Sequence, residues 1–315
     1  MMRVASKGLR NISRTWPQLV AADLATRVAA ILLIAPATSY VVGKVLASAG
    51  GGALTDQDIL RFVLSPLGFG IVLAIGAASA LAGLVGQTAI MTVVAGVEEA
   101  RAVTWLDGMR HAAHRFISVF EMAFLALVRL LLDAAPFLLL AGGAYMLLLR
   151  RYDINYYLTQ RPPNFWIAGL LIAIAVAGIV WFAGRRLLGW AVALPRMLFG
   201  GASPAGALQE SSRLTAEHRS QVLTLMAIWA GATLLLSTLA TGSAGLLGRY
   251  LVPEATANLA GAAAGIALAV LIATVANLLV SMASTISLAV FLFELDRRWS
   301  EPWTLPKEVT ATPVS

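Results

Sequence analysis

Two stretches of the chain carry no ionisable side chain: Phe62 to Val97, 36 residues, and Ala255 to Phe293, 39 residues. A helix crosses the roughly 30 Å hydrocarbon core of a bilayer with about 20 apolar residues, and a helix in a soluble core has no use for uncharged runs this long. The pattern predicts an all-α integral membrane protein. Apolar runs between charged punctuation give six transmembrane helices, near 20–48, 62–97, 117–149, 164–199, 220–250 and 256–295. They pair as three helical hairpins. Links within the pairs are short and turn-like, at 50–61, 150–163 and around Pro253. Between the pairs, 98–116 and 200–219 have the half-polar pattern of amphipathic helices that lie in the interface plane. Residues 1–19 form a basic amphipathic lead, 20–298 the six-helix membrane domain, and 299–315 a polar tail or linker.

Stacking the hairpins exposes an internal repeat with a period near 100 residues. Leu9-Arg10 to Pro36 and Met109-Arg110 to Pro136 share the order basic lead, apolar helix, proline within the helix. Leu208 to Leu236 repeats the lead and the helix without the proline.

Composition agrees with lipid as the main solvent: 59% hydrophobic, 12% charged, mean hydropathy +0.81. A net charge of +7 could suggest nucleic acid, but the Lys and Arg fall in short segments flanking apolar runs, without a clustered basic and aromatic surface. Nucleic acid is therefore not an expected partner; membrane lipids are. With no cysteine, disulfides, thiolate metal sites and cysteine nucleophiles are excluded. Arg3, Lys7, Arg10 and Arg14 precede an apolar stretch as in a secretory leader, but the basic region is long and carries Trp16, Pro17 and Asp23. An uncleaved first span fits better. On the six-helix reading, fifteen Lys and Arg lie on the side holding both termini and six on the other. The excess predicts both termini in the cytoplasm.

Charges inside spans are the sharpest candidates for chemistry, because each costs about 2.5–3.5 kcal/mol at a helix centre. Asp23 and Arg27 lie four apart on the first helix; Arg129 and Asp133 do so on the third, with Glu121 earlier on the same helix. One reading is that each pair neutralises itself and locks helix to helix. The other is a polar cavity receiving an anionic headgroup or solute. Arg185 and Arg186 mark the cytoplasmic headgroup level or bind a lipid phosphate there. Asn277, Ser281, Ser284 and Ser287 form a polar strip on the last helix, suited to interhelical hydrogen bonds. His111 and His114 lack a third metal ligand and are expected on a solvated face. No metal, cofactor or catalytic residue is expected: there is no Gly-x-Ser-x-Gly elbow and no Gly-rich phosphate loop.

The least generic stretch is Tyr152-Asp153-Ile154-Asn155-Tyr156-Tyr157-Leu158 with Arg161-Pro162-Pro163 and Phe165-Trp166. Physically it is an aromatic hairpin at the outer interface, with two prolines opening the fourth helix. Together with Asp56-Gln57-Asp58-Ile59-Leu60, Leu64-Ser65-Pro66-Leu67-Gly68 and Ser203-Pro204, it resembles the membrane domain of some bacterial glycerophosphodiester phosphodiesterases, over about residues 8–298. The resemblance implies a bacterial inner-membrane protein working in glycerophosphodiester metabolism. It implies no catalytic residue here. Enzymes of that family use a His-Arg-Gly motif and a Glu-Asn dipeptide in a (β/α)8 barrel, whereas His114-Arg115 is followed by Phe116, His218-Arg219 by Ser220, and Glu-Asn is absent. The expected work is to anchor or position a phosphodiesterase catalytic domain or partner protein. Alternatives are a lipid or small-solute transporter using Arg27, Arg129 and Asp133, and a membrane scaffold for other proteins.

Overall fold

The computed structural model describes residues 2–48, 62, 65–150, 154–251 and 259–299. Among them the chain is helical, with no strand, and six helices are long and apolar enough to cross a membrane. Helix α1 spans Met2–Ser48 without interruption, so the basic lead runs on into the first apolar stretch as one helix. Pro17 and Pro36 each remove one helical hydrogen bond. Packing carries the helix through Pro17: Leu19 and Ala22 just beyond it are fully buried.

Caps fix the next boundaries. Ser65 accepts from the Gly68 amide (3.0 Å) and Pro66 opens α2, Pro66–Glu98. Thr104 and Asp107 form a reciprocal capping box at the start of α3, Trp105–His114. A single-residue break at Arg115 separates α3 from α4, Phe116–Ala144, which ends in a wide π turn over Tyr145–Leu149. The link expected as a turn at 150–163 contains a short helix, α5, Ile154–Gln160. Tyr157 secures it by donating to the Leu148 carbonyl (3.1 Å) and stacking on Phe165.

The fourth span also departs from expectation. Instead of one helix over 164–199, α6 runs Pro163–Gly189, breaks, and resumes as α7, Ala193–Phe199. The break is held by Ser211 of α8, Pro204–Glu217. Its hydroxyl donates to the Gly189 carbonyl (2.8 Å) and accepts from the Val192 amide (3.2 Å). Two backbone groups released by the break are thus satisfied inside the protein, as burial requires. Helices α9, Arg219–Leu251, and α10, Leu259–Trp299, complete the described residues.

Three hairpins result: α1 with α2, α4 with α6, and α9 with α10. Helix α1 also lies along α10, and α2 along α4, which ties the hairpins together. The buried core is concentrated at the end of the bundle where α1 begins and α10 finishes, here called the base. Leu19, Ile90, Met91, Val94, Leu198, Leu208, Val290 and Phe293 meet there in one cluster with α3, α7 and α8. Away from the base the helices turn large apolar side chains outward, Leu33 at 77% and Leu147 at 85% exposure among them. Burial from water yields about 1.5–3 kcal/mol per large apolar side chain, whereas lipid already solvates such groups. The outer halves therefore form the lipid-facing belt.

Candidate functional site

Helix rise places several polar groups at a common depth. From Asp23 to Gly43, from Gly86 back to Pro66, from Arg186 back to Pro163 and from Thr285 back to Ala263, the helices cover about 30–35 Å at 1.5 Å per residue. That is close to one hydrocarbon thickness. Two cavities open near this depth.

The first, of about 610 Å³, lies between α1, α2 and α10; Asp23, Thr26, Arg27, Ser281 and Thr285 line it, with Thr38, Ser39 and Ser79 and apolar residues such as Ile31 and Ile34. Arg27 donates through Nε to Asp23 (2.6 Å) and through Nη2 to the Thr285 hydroxyl (3.2 Å). Asp23 is 3% exposed. The pair predicted from its spacing of four is therefore formed, and it also clamps α1 to α10.

The second cavity, of about 450 Å³, is lined by Asp133, Phe182, Arg185, Arg186, Ser212, Thr215 and Arg219, with Leu188, Gly189 and Ala216. Here the sequence pairing is corrected. Asp133 does not bond Arg129, its neighbour four residues back; Arg186 of α6 grips it with two parallel hydrogen bonds, at 2.8 and 2.9 Å. A planar guanidinium meets both carboxylate oxygens across the hairpin, a two-bond geometry that is stronger and more directional than a single contact. Arg129 forms no ion pair among the described residues, and neither Arg129 nor the exposed Glu121 lines either cavity.

Asn277 joins the third hairpin. Its carbonyl oxygen accepts from Ser237 (3.1 Å), while its amide donates to Thr241 (3.3 Å) and to the Ala273 carbonyl (3.0 Å). Ser284 adds a hydroxyl contact to Thr233 (3.1 Å), and the Trp229 indole donates to the Ser284 carbonyl (3.0 Å). Ser281 instead lines the first cavity. In the loop between α4 and α6, Tyr152 and Asp153 lie outside the described residues, and Asn155 falls within α5. Tyr156 stands edge-on to Tyr157, Pro162 precedes α6, Pro163 opens it, and Trp166 is 62% exposed beside Phe165. His111, expected on the wet face of α3, is buried at 3% exposure. Gly108 explains this: a Cβ there would stand 2.7 Å from the Ala89 carbonyl, so α3 lies directly on α2 and His111, three residues on, shares that face. Among the described residues no three His, Cys, Asp or Glu are grouped to hold a metal ion.

A larger polar assembly, which sequence reasoning missed, locks the base. Lys7 of α1 bridges Glu98 of α2 (2.8 Å) and Glu294 of α10 (3.0 Å), and the Asn11 amide donates to both carboxylates (2.7 and 2.9 Å). Arg297 also pairs with Glu98. Arg196 of α7 holds the fully buried Asp296 (2.8 Å) and reaches Glu210 of α8 (3.2 Å). A signal was present: Glu98 and Glu294 are the residues that end the two long uncharged runs.

Six lipid-facing spans in three hairpins, with amphipathic helices packed into an ion-paired base, define a multi-pass membrane domain without a separate globular unit among the described residues. The chain matches, over residues 5–301, the family described as the membrane domain of glycerophosphoryl diester phosphodiesterase, and it belongs to that family. No curated protein and no solved structure matches it.

Proposed function

We propose that this membrane domain anchors and positions a glycerophosphodiester phosphodiesterase, or a partner of one, at the cytoplasmic face of the bacterial inner membrane. The observation that carries the proposal is family membership across nearly the whole chain. The ion-paired base supports it: a rigid platform at the end where α1 begins and α10 finishes suits the holding of a neighbouring domain at the membrane surface. The basic excess on that side supports the cytoplasmic orientation.

Deleting residues 1–298 in the native host should release phosphodiesterase activity from the membrane fraction. Activity that stays fully membrane-bound would overturn the anchoring role. Orientation has its own test, made simple by a chain without cysteine. In intact spheroplasts an impermeant maleimide should label Gln160→Cys and not Ser13→Cys, both exposed positions; the reverse pattern would invert the topology.

A further inference from the structure

We propose that the cavity between α4, α6, α8 and the start of α9 is a phosphate site that takes the headgroup of an anionic lipid. Its charge is unbalanced: Arg185, Arg186 and Arg219 face a single carboxylate, Asp133. Arg186 is committed to Asp133 by two hydrogen bonds, which fixes its guanidinium, while Arg185 and Arg219 form no ion pair among the described residues. Two cations with no ion-pair partner among the described residues, beside a third whose acid is already engaged, suit a phosphate oxygen cluster.

Thr215 supplies an independent observation. It is 3% exposed and lines the cavity, yet its hydroxyl has no hydrogen-bond partner. A helical Ser or Thr commonly returns its hydroxyl to the carbonyl four residues back, as Ser212 does to Leu208 (2.8 Å). Thr215 does not. Buried hydroxyls are normally satisfied, so an unpartnered donor just beneath the lining of a basic cavity marks a place where an acceptor can be met by a turn of the Thr215 side chain.

The wall and the depth select a lipid over a free phosphate. Phe182 and Leu188 give the cavity an apolar side, and Phe182 is itself half exposed and packed on Phe137 toward the lipid belt. Arg186 stands about 35 Å along α6 from Pro163, the depth at which headgroup phosphates lie. A phosphate seated on Arg185 and Arg219, with Thr215 turning its hydroxyl toward it, would leave its acyl chains along Phe182. This inference concerns the chain alone and does not rest on the anchoring role, so either can fail without the other.

The test uses the full chain in phosphatidylcholine nanodiscs with a minor fraction of phosphatidylglycerol, and counts retained phosphatidylglycerol by native mass spectrometry. Retention should fall roughly fivefold for each of Arg185→Gln and Arg219→Gln, and about tenfold for Thr215→Val, with Thr215→Ser restoring it. Arg14→Gln, an exposed arginine remote from the cavity, should leave it unchanged. Unaltered thermal unfolding of each variant shows that the fold is intact. Equal losses in Arg14→Gln, or no preference for phosphatidylglycerol in the wild type, would overturn the site. Binding of sn-glycerol 3-phosphate that needs Arg185, Arg219 and Thr215, without lipid retention, would overturn the lipid headgroup as its source.

Discussion

Asp296 offers the cleanest measurement of what holds the base together. Its side chain is fully buried and 2.8 Å from Arg196 Nε, and the Arg196 side chain is itself only 13% exposed. Asp296→Leu would leave a buried guanidinium with Glu210 as its remaining acid, a group 38% exposed at 3.2 Å. Breaking a buried pair from one side typically costs about 3–5 kcal/mol. The surviving Glu210 contact recovers up to about 1 kcal/mol, so the expected loss is about 2–4 kcal/mol. Replacing both partners, Arg196→Met with Asp296→Leu, removes the stranded charge and fills similar space with apolar atoms. That double variant should return to within about 1 kcal/mol of the wild type. Equilibrium unfolding in mixed micelles, followed through Trp190, which is 8% exposed within the base, reads both values. A single variant within about 0.5 kcal/mol of the wild type, the scatter with which independent substitutions add, would refute the argument; so would a double variant less stable than the single.

Ser211→Ala removes two backbone hydrogen bonds at the α6–α7 break and should cost about 2 kcal/mol, with faster amide exchange at 190–199 and little change in the outer halves. Gly108→Ala would drive a Cβ against the Ala89 carbonyl, so α3 should lift from α2 at a cost of about 1–3 kcal/mol, seen as His111 becoming accessible to diethyl pyrocarbonate. Asp107 gives a pH signature. Its hydrogen bonds to Thr104 hold its carboxyl below the usual aspartate range. The cap is therefore complete at neutral pH and is lost as pH falls through the ordinary aspartate value toward the lowered one. Amide exchange at the start of α3 should quicken in that acid window, and Asp107→Asn should abolish the dependence.

The spans and their pairing were legible because lipid imposes a simple rule: long uncharged runs, interrupted where water begins. The break at Gly189 was not. A local signal was present but overlooked: Pro195, in the first turn of α7, has no amide to bond the Ala191 carbonyl, while the contact that secures the break, Ser211, sits 22 residues from Gly189 and is not encoded by periodicity. The pairing of Asp133 followed the same logic. A spacing of four suggested Arg129, but the bidentate geometry with Arg186 from the neighbouring helix prevailed. Asp23 and Arg27 kept their local pairing, with Thr285 as an added partner. The base lock was half visible: Glu98 and Glu294 closed the uncharged runs, but only folding brings Lys7 between them.

The last turns of α10 act as a mechanical junction. Glu294 is tied to α1, Arg297 to α2 and Asp296 to α7, all within four residues of one another. A pull or twist delivered at Trp299 would spread at once over the first hairpin and, through α7 and α8, the second, instead of unwinding a single helix. The outer halves, solvated by lipid and joined by fewer such ties, are left free to lean with the thickness of the bilayer while the base keeps its shape.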